Sequence, residues 1–120
     1  MRAVHIIDDD EAVRDSLAIL LELNDLAVAT YESAEAFLSA LAAGADGCVV
    51  TDLQMPQMSG LELLSELQTG GHRLPVIVAT ARAGRTLAAE AMAHGAQALL
   101  EKPFSPEAFV NAVRCAMAEA

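Results

Sequence analysis

The chain has 120 residues, a length that suits one compact domain and leaves little room for a second. Its hydrophobic fraction of 54% supports a dense core and argues against disorder, yet no apolar stretch reaches the ~20 residues that a membrane helix needs. The formal net charge of -10 and pI near 4.5 oppose direct binding to a phosphate backbone, so no nucleic-acid contact by this chain is expected.

Strand and helix signals then alternate to the end without linker or repeat. The opening Met1-Arg2-Ala3-Val4 lacks the apolar region and cleavage site of a secretory signal, so a cytoplasmic protein is expected. A first strand is expected at about Ala3 to Asp8. The helix after it carries Val13, Leu17, Leu20 and Leu21 on one face and stops at Asn24-Asp25. Leu26 to Tyr31 alternates like an edge strand, and Ser33 caps a helix bearing Phe37, Leu38 and Leu41. Gly44 to Gly47 reads as a turn before the apolar run that ends at Asp52.

Ser59 and Glu62 have capping-box spacing ahead of Leu61, Leu64 and Leu67, and Gly70-Gly71 breaks that helix. Pro75 opens a fourth strand ending at Thr80. A fourth helix follows over about Arg85 to His94, stopped by Gly95. The fifth strand runs from Ala98 into Glu101-Lys102-Pro103. Ser105-Pro106-Glu107 starts a last helix with Phe109, Val110, Val113 and Met117. Cys48 and Cys115 form no metal-ligand pattern and read as structural thiols.

The runs at Val4, Val49 and Val76 are apolar throughout, as central parallel strands covered on both faces must be. The fold class is therefore α/β: a doubly wound five-stranded parallel sheet of flavodoxin-like order 2-1-3-4-5, forming a single domain over residues 1–120. In that order Asp8-Asp9, Asp52, Thr80 and Lys102 all lie on the carboxyl edge, where open α/β sheets place ligands. Carboxylates about 5 Å apart repel by roughly 3 kcal/mol at an effective dielectric near 20, so a cation or a protonated group is required. Hard oxygen donors without His or Cys favour Mg2+. Asp10 and Glu11 are expected to cap and charge the first helix, leaving Asp8 and Asp9 for the metal. Asp52 is a further ligand or a nucleophile. Lys102 and the Thr80 hydroxyl can neutralise and hydrogen-bond a phosphoryl group.

Taken together, Asp8-Asp9, Asp52 with Met55-Pro56 and Ser59-Gly60, Thr80-Ala81 and Lys102-Pro103 resemble the response-regulator receiver domains of the CheY-like fold. Ser33-Ala34-Glu35-Ala36-Phe37-Leu38 and Glu101-Lys102-Pro103-Phe104 look most like FixJ-type receivers. The resemblance implies a two-component protein phosphorylated on Asp52 by a histidine kinase or phosphotransfer protein, and not an enzyme acting on outside substrates. It implies Mg2+ held by Asp9, Asp52 and the Gln54 backbone carbonyl, with Asp8 acting through water. Thr80, the Ala81 backbone and Lys102 would face the phosphoryl group, and the Lys102-Pro103 bond is often cis in the family. A phosphate-driven two-state switch is expected to act on a partner surface formed by the fourth helix and fifth strand, for example in a phosphate-dependent dimer, and an output domain is not seen in this chain.

One position departs from the pattern. Leu99 stands where receivers carry Tyr or Phe, so the usual Thr–aromatic readout does not carry over. Two alternatives are weighed: a pseudo-receiver adaptor that signals without phosphate, and a haloacid-dehalogenase-like phosphatase using Asp8 and Asp10. In the second, an acidic site should follow the lysine, whereas Asp52 precedes Thr80.

Overall fold

The computed structural model describes residues 2–41, 46–81 and 84–119. The apolar runs form β1 (Arg2–Ile7), β2 (Val28–Tyr31), β3 (Asp46–Thr51), β4 (Val76–Thr80) and β5 (Ala98–Glu101). The amphipathic segments between them form α1 (Glu11–Leu23), α2 (Ala34–Ala40), α3 (Gly60–Thr69), α4 (Gly84–Ala93) and α5 (Pro106–Glu119). All strand pairs are parallel and the sheet order is β2-β1-β3-β4-β5, the doubly wound order expected from the sequence.

Because successive strand residues point to opposite faces, each central strand feeds two cores. Val4, Ile6, Cys48, Val50, Ile77 and Ala79 pack with Leu17 and Leu21 of α1 and with Phe109 and Val113 of α5. On the other face Ile7, Val49, Val76 and Val78 meet Phe37, Leu63, Leu64, Leu67 and Ala91. Leu99 joins this second core as a partly buried side chain.

The helix starts follow their caps. Asp10 accepts from the N–H groups of Ala12 and Val13, and Ser33 from that of Ala36. Ser59 and Glu62 form a reciprocal capping box, and Ser105 Oγ accepts from Ala108 N at 3.0 Å.

Element ends differ from the sequence reading by a residue or two, β1 running Arg2–Ile7 rather than Ala3 to Asp8 and α4 stopping at Ala93. Leu26 is not in β2, because its N–H closes α1 by donating to Leu21 O. Gly47 belongs to β3 rather than to a turn, while the preceding residues 44–45 of that expected turn lie outside the described residues. Gly47 has φ +108°, and an added Cβ would sit 1.9 Å from Ala3 O, so glycine here permits β1 to approach closely. The fourth helix begins one residue early, at Gly84. Within the connection from Ala81 to Arg85, residues 82–83 lie outside the described residues. Among the described residues, no helix is long and apolar enough to cross a membrane.

The two thiols sit in opposite environments. Cys48 is fully buried in β3, and burial pushes its thiol up to about 12, whereas Cys115 is exposed on α5. Cys48 therefore stays a thiol at pH 8, and no reagent reaches it without opening the sheet. Alkylation of the native chain is expected to add one label, at Cys115, and a second only after denaturation. Intact mass with peptide mapping checks this; rapid native labelling of Cys48 would contradict the packing.

Candidate functional site

Parallel register assembles the site. Ile7 pairs with Thr51, so Asp8 and Asp52 leave adjacent strands side by side, and Asp52 N donates to Ile7 O at 3.4 Å. Thr80 pairs with Glu101, so Lys102 follows on the same edge, with its N–H donating to Thr80 O at 2.8 Å. The Lys102-Pro103 bond is cis.

Lys102 spans the two acids. Its Nζ lies 3.2 Å from Asp8 Oδ2 and 3.4 Å from Asp52 Oδ2. The Asp8 and Asp52 side chains are only 5% and 14% exposed, so each needs a countercharge that water does not fully supply. Burial alone pushes the Lys102 ammonium down. The charge and hydrogen bond of Asp8, then those of Asp52, outweigh that and hold it above the ordinary lysine value. The second oxygen of each acid is held by main chain: Asp8 Oδ1 accepts from Asp10 N at 2.9 Å, and Asp52 Oδ1 from Gln54 N at 3.1 Å. Each carboxylate thus has one oxygen fixed by the backbone and the other turned to the shared ammonium.

Asp9 is placed differently. It is exposed and lines a depression of about 350 Å³ with Glu32, Ser33, Met55, Pro56 and Gln57, beside the Asp8–Lys102–Asp52 group rather than within it. Asp10 caps α1, as expected. Both cap bonds go to Asp10 Oδ1, so this carboxylate is held at the start of α1 rather than beside Lys102 and Asp52. Thr80 is fully buried at the end of β4, and Ala81 beyond it is exposed.

The structure also assigns positions to residues that the sequence did not single out. Thr51 is buried, and its hydroxyl donates to Asp52 O at 3.0 Å. Gly60, read only as part of a motif, leaves room for the same carbonyl: a Cβ there would lie 2.4 Å from Asp52 O and 2.9 Å from Leu53 Cα. Arg14, the one cation of α1, donates from Nη1 to Asp8 O at 2.7 Å. A lone basic residue one turn after an acidic run was the available signal for Arg14. Nothing comparable in the sequence marks Thr51.

The response regulator receiver domain family model matches residues 4–114, and the chain belongs to that family. It is a receiver domain of two-component signalling. It is 53% identical over 114 residues to the transcriptional regulatory protein FixJ of Azorhizobium caulinodans, covering 95% of this chain and 54% of that protein. With FixJ of Rhizobium meliloti it shares 46% identity, covering 92% of this chain and 54% of the relative. The crystal structure of FixJ-N superposes with a TM-score of 0.93 at 42% identity, covering 100% of this chain and 96% of that one. The chain spans about half the length of these two curated relatives.

Proposed function

We propose that the chain accepts a phosphoryl group on Asp52 from a histidine kinase or a phosphotransfer protein in the cytoplasm, in a Mg2+-dependent reaction, and that this switches a partner-binding surface. The reading is carried by one observation: a buried and a half-buried carboxylate, leaving neighbouring strands, share a single ammonium on the carboxyl edge. An Asp52 carboxylate oxygen forms the new O–P bond as the donor's P–N bond breaks. The departing histidine nitrogen keeps the electron pair and takes up a proton. Lys102 neutralises the transferred group, and the Thr80 hydroxyl and the Ala81 N–H face it. The chain acts on itself and turns over no outside substrate.

The donor set fits a hard divalent cation. Asp8 and Asp52 already hold one positive charge between them, and Asp9 stands exposed beside them. Among the described residues no three acidic, His or Cys side chains are arranged to hold a metal by themselves; a few carboxylates completed by water and a main-chain carbonyl are the donors Mg2+ takes. Asp9, Asp52 and the Gln54 carbonyl would bind directly and Asp8 through water. When bound, the ion supplies charge neutralisation at the phosphoryl oxygens.

Incubation with Mg2+ and a small phosphodonor, followed by intact mass, tests the reading. A single adduct on Asp52 supports it, whereas no reaction favours the adaptor that signals without phosphate. Asp9→Ala is expected to weaken Mg2+ binding about tenfold or more, while Asp10→Ala costs about 1 kcal/mol of stability by uncapping α1 and changes Mg2+ binding less. Titration of both variants decides; a larger loss of Mg2+ affinity in Asp10→Ala would show that the loop register is misassigned.

The switch follows from packing. Leu99 is wedged into the second core opposite Val78 and lacks a hydroxyl, so it cannot swing between buried and exposed states as an aromatic ring does. Thr80 then carries the response, centred on the connection into α4, with α4 and β5 forming the partner surface of a phosphate-dependent dimer. Amide exchange in free and beryllofluoride-bound protein is expected to lose its difference at α4 in Thr80→Ala and keep it in Leu99→Ala. The reverse pattern would discard this switch.

A further inference from the structure

Arg14 makes an unusual choice of partner. It lies among Asp8, Asp9, Asp10, Glu11 and Asp15, yet among the described residues it forms no ion pair with any of them. Instead its guanidinium reaches back six residues and donates to the main-chain carbonyl of Asp8 at 2.7 Å, a short charge-assisted bond. That carbonyl lies just beyond the end of β1, where the chain leaves the sheet to begin α1.

Asp8 is then held at four points: its N–H by Tyr31 O at 3.2 Å, its carbonyl by Arg14, one oxygen by Asp10 N and the other by Lys102. Asp10 is fixed in turn by its cap contacts to Ala12 and Val13. Asp9 sits between two anchored residues, and its own side chain is exposed.

We infer that Arg14 is a positioning residue for the cation site: it locks the turn from β1 into α1 and so presents Asp9 in a fixed direction. This rests on the proposed Mg2+ reading, but the lock itself does not need the metal. Its sign is diagnostic. By charge alone, removing a guanidinium from an acidic cluster strengthens binding of a divalent cation. Loss of a positioning contact weakens it, because the ligand must be ordered on binding.

The test compares Arg14→Met, Arg14→Lys and wild type in the 120-residue chain. Metal-free amide exchange at Asp8 and Asp10, whose N–H groups bond to Tyr31 O and Asp8 Oδ1, is expected to rise about tenfold in Arg14→Met. Mg2+ affinity, followed by backbone amide shifts, is expected to fall about tenfold and to be partly restored in Arg14→Lys. Tighter Mg2+ binding in Arg14→Met, or unchanged exchange, overturns the assignment. If Arg14→Met does not fold, Arg14→Ala, which also removes the donor and favours the helix, gives the same comparison. If instead Asp52 is not phosphorylated at all, the metal-free exchange result still decides the role of Arg14 on its own.

Discussion

Asp52→Asn is expected to abolish phosphoryl labelling by a small phosphodonor and leave the fold intact. The loss is chemical. The amide oxygen of Asn is a poor nucleophile, and it removes one of the two negative charges that face Lys102. The fold survives because Asn keeps an oxygen for the Gln54 N–H, and the Thr51 and Gly60 contacts that fix this turn go to the Asp52 carbonyl, which the substitution retains. Stability should change by no more than about 1 kcal/mol, since the lost ion pair is partly exposed and Asp8 still pairs with Lys102. Intact mass and thermal denaturation measure the two effects. An adduct on Asp52→Asn equal to wild type would place the acceptor elsewhere.

Lys102→Met should produce three changes of different sign. Without the ammonium, buried Asp8 faces Asp52 with no countercharge, and the metal-free fold should lose about 1–3 kcal/mol. Mg2+ should then bind more tightly than in wild type, because it no longer competes with Lys102 for the same oxygens, and should recover more of the lost stability. Phosphorylation should nevertheless fall about 10²-fold even at saturating Mg2+, because a charge aimed at the phosphoryl group is gone.

The pH dependence has a definite direction. The Lys102 ammonium is held above its ordinary value of 10.5. Its contribution to stability is therefore fully present below that value and is lost as pH rises through the folded value. The wild-type stability excess over Lys102→Met should persist through neutral pH and shrink in strong alkali. Denaturation of both proteins in paired buffers checks this; weaker Mg2+ binding by Lys102→Met would contradict the competition between ammonium and metal.

Much of this arrangement was readable in the chain because it depends on local order. Continuous apolar runs at Val4, Val49 and Val76 can only be strands buried on both faces, and alternation with helices then restricts the sheet to a few orders. In the order 2-1-3-4-5, Asp8, Asp52, Thr80 and Lys102 share an edge before any coordinate is known. The caps at Asp10, Ser33, Ser59 and Ser105 were equally legible, since a cap is a contact within a few residues.

The tertiary structure decided what depends on distance between segments. Which acid shares the ammonium with Asp52 could not be read from Asp8-Asp9: the pairing of Ile7 with Thr51 turns Asp8 inward and leaves Asp9 exposed. Gly47 read as a turn because sequence cannot distinguish a glycine that bends the chain from one that admits a neighbouring strand, here at Ala3 O. The Thr51 hydroxyl bond to Asp52 O and the reach of Arg14 back to Asp8 O are local, but each needs one side-chain rotamer among several, which composition and period do not choose. Composition and period record which way a residue faces within its own element, whereas a contact with a neighbouring strand exists only once the elements are packed.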